Sequence, residues 1–192
     1  HELSLQSHAE SKLLDQEFIL SSGRLIESQK DFTSLIKAYS CLKNKFHRNE
    51  KLYIIGDGPD RSNLQTLIQE LGLSDDVFLL GFQKNPFIWI KRAQCFVLSS
   101  KHEGLPSVLI EAMILNIPVV ATDCPDGPNE ILLDGRAGAL VEVSNVEAIS
   151  VAINRVLSDI NYANNLKLVA KQNLNRFNIK DNIHRLYQIF NS

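Results

Sequence analysis

Six short apolar runs limit what this chain can fold into. They are residues 18–22 (FILSS), 51–55 (KLYII), 77–80 (VFLL), 95–98 (CFVL), 117–121 (IPVVA) and 139–141 (ALV). None alternates apolar with polar residues, so none offers a face to water. A strand of that kind is buried on both sides, which is the mark of a parallel sheet covered by helices. The intervening segments supply the helices. Residues 31–46 place Phe32, Leu35, Ile36, Tyr39 and Leu42 on one face, and residues 60–71 do the same with Leu64, Leu67, Ile68 and Leu71 before Gly72. Residues 86–92 read as a short helix and 129–133 as a single turn. Residues 146–190 read as two or three helices broken near Asn161 and Asn178, and residues 3–16 as a polar lead-in. The expected fold is α/β: a doubly wound, Rossmann-like parallel sheet with helices on both faces and a helical C-terminal tail. Ligands of such sheets lie beyond the carboxyl ends of the strands. The glycine-rich and charged loops of this chain all follow strands.

The richest of these loops lies within residues 99–131, SSKHEGLPSVLIEAMILNIPVVATDCPDGPNEI. Between Gly104 and Thr122 the only charged residue is Glu111, set among Val108, Leu109, Ile110, Ala112, Met113, Ile114 and Leu115. The pattern predicts a helix buried nearly all round, in which a carboxylate is costly unless it is answered. The answer is either a protein cation or the hydroxyl donors of a ligand. Gly104 lets a ligand approach the backbone, and Pro106 fits the first helical position. The N–H groups near Ser107 and Val108 then point at an anion, aided by the helix dipole. An anion cradle followed by a carboxylate meets the needs of a nucleotide diphosphate, which presents phosphates and ribose hydroxyls.

Other loops join this edge. Gly23 and Arg24 follow the first run, with Lys30 six residues after Arg24 at the expected start of a helix. An arginine fork and a lysine point charge can hold a diphosphate; the plain alternative is a solvated surface pair. Gly56-Asp57-Gly58-Pro59 lacks the third glycine of a dinucleotide fingerprint and reads first as a turn that starts a helix. Glu103 and His102 sit in the loop before Gly104, and His102 has no partner at metal-ligand spacing. Cys124 would need a histidine base that the sequence does not place, so packing is the expected role of Cys41, Cys95 and Cys124. No metal or cofactor is expected. A net charge of −2 over 192 residues excludes an electrostatic nucleic-acid binder. No apolar run is long enough for a membrane span. The missing initial Met sets the expectation of a piece of a longer protein, with residues 1–17 as a lead-in and residues 18–192 as one domain.

With these residues assembled, the chain resembles the carboxyl-terminal, donor-binding half of a GT-B glycosyltransferase of the family 4 retaining group, bacterial surface-polysaccharide type. The matching segments are SGRL with Lys30, IIGDGP, LGF with KNP, FVLSS, EGLPSVLIEA, PVVATDCPDGPNEIL and GALV. The strongest is the pair Glu103 and Glu111 with seven residues between them. The resemblance implies a diphosphate held by Arg24 and Lys30 beside Gly23. It implies phosphate and sugar held at Gly104, Leu105, Pro106 and Ser107, ribose hydroxyls on Glu111, and Glu103 near the transferred sugar. The Gly81-Phe82 turn would line the base pocket. Glu103, Arg24 and Lys30 are the implied catalytic set. The implied reaction moves a hexose or N-acetylhexosamine, with retention, from a nucleotide sugar such as a UDP-sugar to a glycan or lipid-linked acceptor. The implied location is cytoplasmic, with peripheral membrane association through the missing acceptor domain. The segment 178–190 would be a helix lacking part of its partner. Two other readings stand beside this one: a sugar-nucleotide epimerase on the same fold, and a non-catalytic nucleotide-binding module.

Overall fold

The structure is a computed structural model and describes residues 11–178. Six strands form one parallel sheet: β1 (Phe18–Ser22), β2 (Lys51–Ile55), β3 (Val77–Gly81), β4 (Cys95–Leu98), β5 (Val119–Thr122) and β6 (Ala139–Val141). Their spatial order is β3-β2-β1-β4-β5-β6, the doubly wound order that reverses between β1 and β4. That reversal opens a crevice where the loops after β1 and β4 diverge.

Consecutive residues of each strand face opposite layers. Ile19, Leu52, Ile54, Cys95, Val97 and Val120 join one core with α2 (Phe32–Phe46), α3 (Arg61–Glu70) and α7 (Val146–Ser158). Phe18, Leu20, Tyr53, Phe96, Leu98 and Ala121 join the other, with α4 (Pro86–Arg92), α5 (Ser107–Ile114) and α6 (Pro128–Ile131), while α8 (Ile160–Asn173) serves both, Ala163 and Leu166 in the first core and Ala170 in the second. Both faces are dry, so no strand can spare a polar side. In the second layer Tyr53 stacks on Phe18 and meets Trp89 edge-on. Burial pushes the Tyr53 phenol up to about 12, and its hydroxyl donates to the Leu13 carbonyl.

Several boundaries differ from the sequence expectation, each for a local reason. The first helix does not begin at Asp31. A separate turn, α1 (Glu27–Lys30), ends at Asp31, whose φ of 50° breaks the helix before Phe32. Lys30 therefore ends one short helix and does not start the long one. The fifth strand spans Val119–Thr122, because the Ile117 N–H returns to Ala112 to close α5 and Pro118 has none to give. The tail helices break at Asp159, two residues before Asn161, because the Asp159 carboxylate caps α8 by accepting from the Tyr162 N–H at 2.9 Å. The expected tail helix at 178–190 lies outside the described residues apart from Asn178, which follows a 3-10 turn at Leu174–Phe177.

Candidate functional site

The loop after β1 is laid on the loop after β2. Gly23 N–H donates to Ile55, and Leu25 N–H donates to Asp57. A Cβ added at Gly56 would come within 1.9 Å of the Gly23 carbonyl oxygen, and one at Gly58 within 2.4 Å of the Leu25 oxygen. The Gly-Asp-Gly-Pro segment is thus a turn that starts a helix, and its glycines let the Arg24 loop rest directly on it. Arg24 stands on this platform, exposed and with no partner among the described residues. The Lys30 stem lies over Gly23, where an added Cβ would meet Lys30 Cδ and Cε at 3.3 Å.

Lys30 crosses the crevice to the β4 loop. Its Nζ donates to Glu103 Oε1 at 2.5 Å, and the Ser100 hydroxyl donates to the same oxygen at 2.5 Å. The two side chains are only 16% and 8% exposed, so water screens the pair weakly. Glu103 Oε2 has no hydrogen bond among the described residues. Arg24 and Lys30, similar in the sequence, therefore differ here: one is free, the other is held by Glu103.

Beyond Glu103, Gly104 and Leu105 are exposed and an added Cβ at Gly104 meets nothing within 4 Å. Pro106 occupies the cap position, and α5 begins at Ser107, one residue later than expected. Leu109 N–H returns to Pro106, while the N–H groups of Ser107 and Val108 have no acceptor among the described residues. Another helix start on this edge is closed: the Glu27 carboxylate accepts from Phe32 and Thr33 N–H at 2.9 and 3.0 Å, filling the start of α2. The open anion-binding geometry is at Ser107.

The expectation that α5 is buried all round is not met. Leu109, Ala112 and Met113 are buried, but Ile114 is 62% exposed and Glu111 lies on a half-open side. The helix covers only one face of the sheet, and the pure apolar run hides the side that faces out. Glu111 has no cationic partner among the described residues; its Oε1 accepts from the Ser107 hydroxyl at 3.3 Å. The late loop supports this segment from below. Gly127 sits at a φ of +112°, and a Cβ there would come within 2.4 Å of the Gly104 oxygen and 2.6 Å of Pro106 Cδ.

At the far side of the crevice Gly81 ends β3 at a φ of +71° and Phe82 is 82% exposed. Arg61 holds this turn by donating from Nη2 to Leu79 at 2.7 Å, while its Nη1 is buried without an acceptor. The structure thus brings Gly23, Arg24, Lys30, Glu103, Gly104, Leu105, Pro106, Ser107 and Glu111 to the crevice loops after β1 and β4. Gly81 ends β3 and Phe82 follows it on the same sheet edge. Sequence reading passed over Ser100, Asp31, Glu27 and Arg61. Ser100 and Asp31 carried a signal, a hydroxyl three residues before Glu103 and a carboxylate directly after Lys30. Cys124 is buried, and both burial and the nearby Glu103 raise its thiol above the ordinary value, which opposes a nucleophilic role. No group of three or more metal-ligating side chains occurs among the described residues.

The sequence profile of "Glycosyl transferases group 1" matches residues 5–173. The chain belongs to that family. Group 1 relatives include an uncharacterised glycosyltransferase of Methanocaldococcus jannaschii, 48% identical over 62% of this chain and 29% of its own length. Another is an N-acetylgalactosaminyltransferase of Campylobacter jejuni acting on a diacetylbacillosaminyl-diphospho-undecaprenol substrate, 38% identical over 80% of this chain and 41% of its own. A third is the lipopolysaccharide core glycosyltransferase LpsE of Rhizobium meliloti, 33% identical over 76% and 41%. This group 1 chain spans less than half the length of these relatives. Among solved structures, a mutant of Staphylococcus aureus TarM with UDP bound superposes with a TM-score of 0.82 at 25% identity, over 92% of this chain and 36% of TarM. A glycosyltransferase of Rickettsia africae also reaches 0.82, at 20% identity, over 99% and 52%. The architecture is that of one Rossmann-like half of a GT-B enzyme.

Proposed function

We propose that this chain is the donor-binding half of a retaining glycosyltransferase that takes a hexose or N-acetylhexosamine from a UDP-sugar. The acceptor is a glycan or lipid-linked saccharide of a bacterial surface polysaccharide, and the companion domain that orients it lies outside residues 1–192. One observation carries the reading: among the described residues Arg24 has no partner, the N–H groups of Ser107 and Val108 have no acceptor, and Glu111, in the same crevice, is answered by no cation. The first two suit a diphosphate, and the third suits ribose hydroxyls. The relatives named for lipopolysaccharide and undecaprenol-linked substrates support the acceptor class, and TarM with UDP supports the donor.

In the reaction, negative charge grows on the leaving diphosphate as the bond to the sugar breaks. Arg24 and the α5 start meet that charge with fixed donors that need no reorganisation. Glu103 lies where the sugar would sit, its Oε2 open to a sugar hydroxyl. The positive charge in this account comes from the protein alone. The proposed location is the cytoplasmic side of the membrane, with peripheral attachment through the companion domain; no helix among the described residues is long and apolar enough to cross a bilayer.

A thermal-shift series with UDP, GDP, ADP, UMP and uridine tests the donor site. At about 100 times its dissociation constant a ligand adds about 2.7 kcal/mol to the folded state. For a domain of this size that is about 5–10 °C. UDP should give the largest shift and uridine little. No shift from any diphosphate overturns the reading.

A further inference from the structure

We propose that Asp31 is a positioning residue that fixes Lys30 opposite Glu103 by tying three crevice loops together. The consequence for ligand rests on the nucleotide-sugar reading above; the tie itself does not.

Asp31 directly follows Lys30 and is 2% exposed. Its φ of 50° is a left-handed backbone that favours glycine or asparagine over most residues. That conformation breaks α1 from α2, so the backbone at Lys30 can face the crevice and does not continue into a long helix. The carboxylate then reaches both neighbouring loops. Oδ2 accepts from the Ser144 hydroxyl at 2.6 Å, in the loop after β6. Oδ1 faces Lys101 Nζ at 3.4 Å, in the loop after β4. Ser144 itself holds a φ of 58°, a second left-handed residue at the same contact.

The backbone on either side of Lys30 is held by the same loops. Lys101 N–H donates to the Gln29 carbonyl at 2.8 Å and His102 N–H at 3.5 Å. The Ser99 hydroxyl donates to the Lys30 carbonyl at 2.8 Å. Lys101 is thus gripped at both ends, its amide by Gln29 and its ammonium by Asp31. Two residues further on is Glu103, which Lys30 reaches at 2.5 Å. Removing the Asp31 carboxylate leaves every main-chain contact of this tie able to form, while it takes away both the Ser144 and the Lys101 side-chain contacts. The carboxylate is also nearly dry, so its attraction for Lys101 is screened less than a surface pair would be. A loop held in place before the ligand arrives binds without the cost of being ordered then.

Asp31→Gly is the decisive variant, because glycine takes the same φ without strain and only the carboxylate is lost. Asp31→Asn is its companion: it keeps an oxygen for Ser144 but offers Lys101 no charge. Two measurements on the whole chain decide the matter. The first is the acylation rate of Lys30 by an amine reagent in the ligand-free protein, with exposed Lys37 as internal reference. In the wild type Lys30 should react slowly; Asp31→Gly should raise its rate relative to Lys37 several-fold, and Asp31→Asn less. The second is affinity for UDP and for uridine. Asp31→Gly should weaken UDP about tenfold through lost preorganisation and leave uridine unchanged, with the Asn variant between. An unchanged Lys30 rate overturns the tie. Parallel losses for UDP and uridine, or none, overturn the positioning role. If the wild type binds neither, the nucleotide reading fails, and the acylation rates still decide whether Asp31 holds Lys30.

Discussion

Two glycines touch the same loop from opposite sides, and exchanging each for alanine separates what the loop needs to fold from what it needs to bind. At Gly127 a Cβ would lie 2.4 Å from the Gly104 carbonyl oxygen, where ordinary contact begins at 3.4 Å, so something must move by about 1 Å. The neighbour is main chain and cannot swing aside, so the 104–106 segment itself shifts. The φ of +112° adds backbone strain of about 1–3 kcal/mol for a residue with a side chain. Gly127→Ala should therefore cost about 2–4 kcal/mol, strain and overlap together, which lowers the unfolding midpoint by about 4–16 °C. The displaced loop should also bind UDP at least tenfold more weakly, since a misplacement of about 1 Å at a site costs up to about a hundredfold. Gly104→Ala is the contrast. Nothing lies within 4 Å of its Cβ and no left-handed φ is required, so stability should change by less than about 0.5 kcal/mol. Its methyl projects into the space proposed for the sugar diphosphate, so affinity should fall with the fold intact. The assay pairs thermal unfolding with titration of UDP and of UDP-sugar. Wild-type affinity in Gly104→Ala would refute the placement of the ligand against this loop. Wild-type affinity in Gly127→Ala would refute the claim that the late loop supports it.

Other expected outcomes follow from single contacts. Glu111→Ala should weaken UDP by about 1.5–3 kcal/mol, as for hydrogen bonds to a charged group, and inorganic pyrophosphate much less; equal losses in calorimetry would make Glu111 structural. Arg24→Ala removes a side chain with no partner among the described residues, so the unfolding midpoint should hold while the UDP-to-uridine affinity ratio collapses; an unchanged ratio sinks the assignment. Asp76 sits between Lys43 and Lys51: burial works to raise its carboxyl, but the bonds from both lysines outweigh it and hold it below the ordinary value. A folded value below the unfolded one means stability that is present above about pH 4 and lost as pH falls through the folded value. Denaturant titrations at pH 5 and pH 3 should show that loss in the wild type and a smaller one in Asp76→Asn.

The sheet was legible because its chemistry is local. A run such as residues 95–98 has no polar residue to turn outward, so its double burial and parallel pairing follow from composition alone. The helices of the long β-to-α crossings were legible because Phe32, Leu35, Ile36 and Tyr39 repeat at helical spacing. The misplaced ends share a cause: each depends on one hydrogen bond that a pattern does not show. Asp159 capping Tyr162 ends α7 early, and the Ile117 N–H returning to Ala112 delays β5. The burial of α5 was misjudged for a related reason. An apolar run tells how much can be hidden, whereas which side of it meets a neighbour depends on packing, and Ile114 stays mostly exposed. At the candidate site the loop residues were identifiable one by one, but their pairing was not. Lys30 and Glu103 are 73 residues apart in sequence, and only the adjacency of β1 and β4 joins them.

That pairing changes how charge is arranged in the crevice. The sequence offers two cations and two carboxylates, which reads as a site near neutrality. In the fold the four are not mixed. Lys30 and Glu103 form a largely buried pair, in which losing either partner would strand the other. To an approaching anion such a pair is a dipole, weaker and shorter in reach than a charge. Arg24 and the first N–H groups of α5, which have no partner among the described residues, keep their full reach. Under the proposed function, the first attraction for a diphosphate therefore comes from Arg24 and the helix start. Lys30 contributes fully only when a ligand donor takes its place on Glu103. A sugar hydroxyl is such a donor, and inorganic pyrophosphate has none. Under the proposed function, the intact nucleotide sugar thus gains more from Lys30 than its diphosphate alone would.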